Sequence, residues 1–230
     1  MVELLSQSVF FGAVLSLAAF QVGLYCKKKW HIALFNPLLV ASALVIGVLA
    51  YFKIPYDVYY SGAKYISYLL TPATVCLAIP LYEQLELLKK NALAILAGIL
   101  SGVLTSVTLV LLFAVVFHFS HTEYVTFLPK SVTTAIGMGV SEQLGGNVSI
   151  TVAVIVITGV LGNMLAEPVC RVLAITNPIA KGVGIGSAAH AIGTAKAMEL
   201  GEVEGAMSGL SIAVSGILTV AAAAVFGMIY

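Results

Sequence analysis

Lys130, Ser131, Thr133 and Thr134 place an ammonium group and three hydroxyls within five residues, in a segment that opens Leu128-Pro129. Proline suits a first helical turn, and hydroxyls there satisfy free backbone donors, so the run reads as a helix start. Free N–H groups and the helix dipole attract anions, and Lys130 strengthens that attraction. The plainer reading of the same residues is structural, with Lys130 reaching the interface and the hydroxyls capping the helix. A second set, Ser187, His190 and Thr194, shares one face at one-turn intervals if its segment is helical. His190 can pair with a carboxylate or relay a proton near neutral pH, or it can bond a neighbouring backbone group structurally. The chemistry on offer is recognition of a small anion, with a proton as an option.

Catalytic equipment is thin. Ser187 and His190 have no base-orienting partner in sequence, the sole aspartate is Asp57, and no His/Cys cluster has metal spacing. Cys26, Cys76 and Cys170 are scattered singly and read as apolar filler. No enzymatic role, no metal and no cofactor is expected.

The elements that must position these residues are membrane helices. Of 230 residues, 60% are hydrophobic and 9% charged, and the mean hydropathy is +1.07, far from the balance of a soluble domain. A net charge of +1 without basic blocks gives no footprint for nucleic acid. Apolar windows of about 20 residues, enough to cross a hydrocarbon core, fall near 4–25, 33–52, 64–82, 92–117, 148–171 and 204–228. Lys27, Lys28 and Lys29 follow the first window instead of preceding it, the reverse of a cleavable signal, so that window is expected to stay as a helix with its N-terminus outside. Pro72 and Pro80 are expected to interrupt the third window.

Two stretches, 124–146 and 183–203, are a span long yet rich in Gly, Ser, Thr and charge. They are related: Thr134-Ala135-Ile136-Gly137 recurs 56 positions later as His190-Ala191-Ile192-Gly193. If both dip in and return, the loop cations divide seven inside to two outside; if both cross, the division is five to four. The positive-inside rule favours the first. The chain is therefore expected to be an all-α integral membrane protein, one domain over 1–230. About six full transmembrane helices would accompany two re-entrant or broken-helix segments related as an inverted repeat. Gly98 with Gly102, and Gly205 with Gly209, form GxxxG faces for tight helix contact and suggest a homodimer.

The ordered motifs Asn36-Pro37-Leu38-Leu39-Val40-Ala41, Pro80-Leu81-Tyr82-Glu83-Gln84, Leu128 to Thr134, Ser187 to Ala195 and Glu204-Gly205-Ala206 together resemble the LrgB/CidB family along essentially the whole chain. The resemblance implies a multi-pass protein of the cell inner (plasma) membrane. It carries two functional implications. One is transport of two- or three-carbon monocarboxylates such as glycolate, glycerate or pyruvate, as in the related domain of the plastid glycolate/glycerate translocator. The other is antiholin-like control of murein hydrolases and autolysis beside a smaller LrgA/CidA-type partner. The transporter reading fits the residues better. It assigns substrate binding to Lys130, Ser131, Thr133, Thr134, Ser187, His190 and Thr194, with Asn36 of the first motif. Where the family commonly reads Thr-Thr-Pro-Ile-Ala, this chain has Thr133-Thr134-Ala135-Ile136-Gly137, so a softer helix break is expected there.

Overall fold

The computed structural model describes Ser8, residues 10–30, 35–69, Pro72, residues 75–76 and residues 78–230. Among these residues the secondary structure is helical, with no strand. The chain divides into two compact units, Met1–Cys76 and Leu77–Tyr230. The outermost residues of the first two expected spans (4–7 and 33–34), and residues 70, 71, 73, 74 and 77 of the third, lie outside the described residues.

The first unit contains α1 (Phe11–Trp30), α2 (Pro37–Tyr51) and α3 (Tyr56–Ser67). Small residues let these helices meet. Gly12 of α1 lies directly against the Tyr59 and Ala63 backbone of α3, and Gly23 lies against the Pro37 backbone of α2. Ser16 adds a hydroxyl–hydroxyl bond to Tyr59 of 2.7 Å. α1 continues through Trp30, so Lys27, Lys28 and Lys29 sit in its last turn, where cations complement the free carbonyls, and not in a loop. α2 has only 15 residues, about 22 Å of helix. The third expected span is not one helix: α3 ends at Ser67 and α4 covers Ala78–Glu83, with Pro72 between them.

Among the described residues, three helices, all in the second unit, are long and apolar enough to cross a membrane: α5 (Leu85–Phe117), α8 (Val148–Val172) and α10 (Glu202–Phe226). They turn large apolar side chains outward, as Leu93 (84% exposed) and Ile217 (73%) illustrate. In water this surface would be costly; in a bilayer it is the solvated face.

Two further elements are hairpins. The first comprises α6 (His121–Phe127), a turn over 128–133 and α7 (Thr134–Gln143). Ser120 and Glu123 form a reciprocal capping box at its start. Pro129, without an N–H, stops α6 instead of opening α7; α7 begins at Thr134, and Thr133 precedes it in extended backbone with no side-chain cap bond. Gly137 on the returning arm lies 3.5 Å, measured from an added Cβ, from the Pro129 carbonyl on the descending arm. At the hairpin's mouth, the Asn147 N–H donates to Thr126 Oγ1 at 2.8 Å. The helix expected to soften at Ala135 runs unbroken from Thr134 to Gln143.

The second hairpin is α9 (Pro178–Leu200), broken at His190 where φ is 41° and ψ −142°. Contacts with α10 give its path. Gly182 touches Glu204 and Met207 and Gly186 touches Ser208, so the first arm runs parallel to α10; Thr194 bonds Ser208 and Met198 packs on Gly205, so the second arm runs back. The arms close on each other where Ile185 meets Gly193 and packs in one cluster with Ala197. An arm of 12 residues reaches about 18 Å, a little over half of a hydrocarbon core of about 30 Å.

Candidate functional site

The two tips arrive from opposite ends of the same helices. On α10 the first hairpin begins beside the C-terminal end, where the Tyr124 hydroxyl donates to the Phe226 carbonyl (3.0 Å), and reaches Gly216 through Ile136. The second begins beside Glu204 and reaches Ser208. On α5 the order is the same: Val183 lies on Gly98, Ser187 on Gly102, and Lys130 on Ser106. Gly102 and Ser106 stand four residues apart, one turn on one face. The polar tips thus share a short strip at the middle of the bundle.

Ile155 of α8 joins them directly. Its side chain fills the space beside Gly137 of the first tip, and its carbonyl bonds His190 Nε2 of the second at 3.0 Å. Because the carbonyl accepts, that imidazole nitrogen carries the hydrogen. Gly159, one turn further along α8, leaves room for the ring. Asn163 donates to the Ile192 carbonyl (2.8 Å), fixing the start of the returning arm.

Around the first tip, Lys130 Nζ donates to Ser106 Oγ at 3.2 Å and to Ser131 Oγ at 3.0 Å, and the two hydroxyls bond each other at 3.1 Å. Ser131 is buried and Lys130 partly so. The hydroxyls of Thr133 and Thr134, both half-buried beside the open N-terminus of α7, have no bonding partner among the described residues. At the second tip Ser187 donates to the Val183 carbonyl (2.6 Å). Thr194 donates to the His190 carbonyl (3.0 Å) and shares a 2.7 Å bond with Ser208.

Seven of the eight expected binding residues therefore lie in the two tips. Asn36 belongs to the first unit, where its Oδ1 accepts from the Leu38 N–H (2.9 Å) and caps α2. Ser187, His190 and Thr194 do not form one continuous helical face either, because the break at His190 turns the chain back. Thr194 reaches the tip from the returning arm.

At the hairpin mouths the charges are paired. Lys196 lies 3.1 Å from Glu167 and 3.4 Å from Glu199, Arg171 lies 3.0 Å from Glu167, and Lys181 lies 4.0 Å from Glu204. Glu202 and Glu204 occupy the first turn of α10, where acids complement the helix dipole.

The family model described as LrgB-like matches residues 16–229. The chain belongs to the LrgB-like family. It is 39% identical over 222 residues to the antiholin-like protein LrgB of Bacillus subtilis (strain 168), covering 96% of each chain. To the holin-like protein CidB of Staphylococcus aureus (strain N315) it is 38% identical over 193 residues, covering 84% of each. To the antiholin-like protein LrgB of Bacillus cereus (strain B4264) it is 38% identical over 212 residues, covering 92% of each. No solved structure matches the chain.

In this LrgB-family chain, sequence reasoning missed Ser106, Asn163, Ser208 and the Ile155 carbonyl. Ser106 carried a signal, a hydroxyl inside the long apolar run 92–117. The Ile155 carbonyl carried none, since a backbone acceptor becomes special only through what folds onto it. Three of the four glycines in the GxxxG patterns make contacts within the chain: Gly98 and Gly102 receive α9, and Gly205 receives Met198.

Proposed function

We propose that this LrgB-family membrane protein is a multi-pass carrier of the inner (plasma) membrane. In this reading it binds a small monocarboxylate of glycolate, glycerate or pyruvate type between the hairpin tips and exposes it alternately to either side. The observation that supports this reading is the approach of two polar tips from opposite ends of α10 to one strip of α5. Each tip then closes one route to a shared central position. Lys130 supplies positive charge; Ser131, Thr133 and Thr134 donate to carboxylate oxygens; Ser187, Thr194 and His190 line the opposite side. The ligand leaves unchanged, with no catalytic step and no cofactor.

Uptake of labelled glycolate, glycerate or pyruvate into proteoliposomes tests the proposal. Saturable uptake under an imposed ion gradient is the expected result; no movement of any of the three under any gradient overturns it.

A second reading is supported by the names of the relatives, antiholin-like and holin-like. In it the chain modulates murein hydrolase activity and autolysis together with an LrgA/CidA-type partner, and its output is assembly. Joint replacement of Thr133, Thr134 and His190 separates the two. In variant protein that still folds, a carrier loses flux, whereas an assembly module retains its lysis phenotype.

A further inference from the structure

Counting hydrogen atoms around Lys130 assigns a more specific role to this corner. An ammonium group has three donors, and two of them go to Ser106 and Ser131. The two hydroxyls have two hydrogens between them, and their mutual bond uses one. One ammonium N–H and one hydroxyl O–H remain, with no acceptor among the described residues. A carboxylate has two oxygens and accepts only, so one carboxylate satisfies both leftover donors with charge-assisted bonds.

Charge points the same way. Among the lysines of the two hairpins, Lys181 and Lys196 lie beside carboxylates, Glu204 for the first and Glu167 and Glu199 for the second. Lys130 has hydroxyl partners alone among the described residues. A partly buried cation without a counter-ion is costly at mid-membrane depth, and a bound anion removes that cost. A second carboxylate on the same ligand would find no free cation in these tips and would keep its own desolvation cost.

We infer that Lys130, Ser106 and Ser131 form a receptor for a single carboxylate, with Ser106 of α5 as a ligand-binding residue and one negative charge as the selection rule. This rests on the carrier reading, and it adds a wall of the site contributed by a spanning helix.

The test is binding of radiolabelled glycolate to the full chain in lipid nanodiscs, alongside uptake by the same variants in proteoliposomes. Ser106→Ala and Ser131→Ala should each weaken binding roughly tenfold, the scale of one lost bond to a charged group. Ser106→Thr should retain binding, and Lys130→Met should abolish it. Unlabelled pyruvate should displace the label, and malonate and succinate should not. Unchanged affinity in a folded Ser106→Ala protein, or displacement by malonate as effective as by pyruvate, overturns the receptor. If wild-type protein moves glycolate while the Lys130→Met and Ser106→Ala variants keep its KM, the receptor alone falls. If wild-type protein neither binds nor moves any monocarboxylate, the carrier reading falls and the receptor with it.

Discussion

His190 Nε2 bonds the Ile155 carbonyl at 3.0 Å, while the Ile155 side chain rests against Gly137 of the other hairpin. One residue of α8 thus holds one tip through polarity and the other through volume. Both contacts fall on the same residue, so a change at Ile155 alters the surroundings of both tips.

His190 holds its helix break at φ 41° against the preference of an L-residue. His190→Ala loses the bond to Ile155 and the ring's packing on Gly159 while keeping the unfavourable φ, a loss of about 2–4 kcal/mol. His190→Gly loses the same contacts but relaxes the backbone, and should be about 1 kcal/mol more stable than the alanine variant. Thermal unfolding in detergent ranks the three; equal melting of the Ala and Gly forms would show that strain at the break does not matter.

Gly186 and Gly184 make a matched pair on the first arm of α9. A methyl group at Gly186 would drive into the Ser208 backbone of α10, whereas one at Gly184 meets nothing within 4 Å. Gly186→Ala should destabilise by about 1–3 kcal/mol. Gly184→Ala should be neutral or gain up to about 1 kcal/mol from helix propensity. Chemical denaturation of the two variants checks the contrast, and comparable losses would contradict the packing described.

The returning arm of α9 is fastened at its mouth by Lys196 and Glu167, whose side chains are 19% and 45% exposed. Glu167→Lys should loosen residues 191–200, and Glu167→Lys with Lys196→Glu should recover part of the loss. At this exposure the coupling is about 0.5–1 kcal/mol. Hydrogen exchange over the arm reports it, and identical protection in all the forms would remove the ion pair as a fastening.

The Glu123 carboxyl is held below its ordinary range, first by the Ser120 backbone N–H (2.7 Å) and then by the Ser120 hydroxyl (2.8 Å). The native state therefore releases this proton more readily than the unfolded chain. Its contribution is complete above the ordinary carboxylate pKa of about 4.3 and fades as pH falls through the lower native value. Ser120→Ala removes the second donor, so the native titration of Glu123 should move part of the way back up. Carbon-13 NMR of the labelled carboxyl follows it, and an unmoved titration would exclude the hydroxyl as a cause.

Polarity and charge distribution made the two hairpins legible. Segments 124–146 and 183–203 are too polar for lipid, and the distribution of loop cations, Arg171 and Lys181 above all, favoured the re-entrant path. The residue at which each chain turns was not legible. Leu128 to Thr134 carries proline and hydroxyls that suit a helix start, yet here Pro129 follows the end of one helix and the next opens only at Thr134, with Tyr124, Val125 and Leu128 buried in one cluster with Val107, Val110 and Ala114 of α5. At His190 no proline or glycine marks the break; the bend exists because Ile155 and Gly159 receive the ring. Ser106 was overlooked because one hydroxyl in a helix of 33 residues can bond its own backbone at no evident cost, and only the arrival of Lys130 distinguishes it.

Gly98, Gly102 and Ser106 follow one another at four-residue intervals along α5 and receive Val183, Ser187 and Lys130 in turn. Successive side chains on a helix are about 100° apart, so a small rotation of α5 about its own axis carries all three seats in the same sense. The floor under both tips is therefore one short stretch of a single helix, and whatever bears on that stretch bears on both hairpins at once.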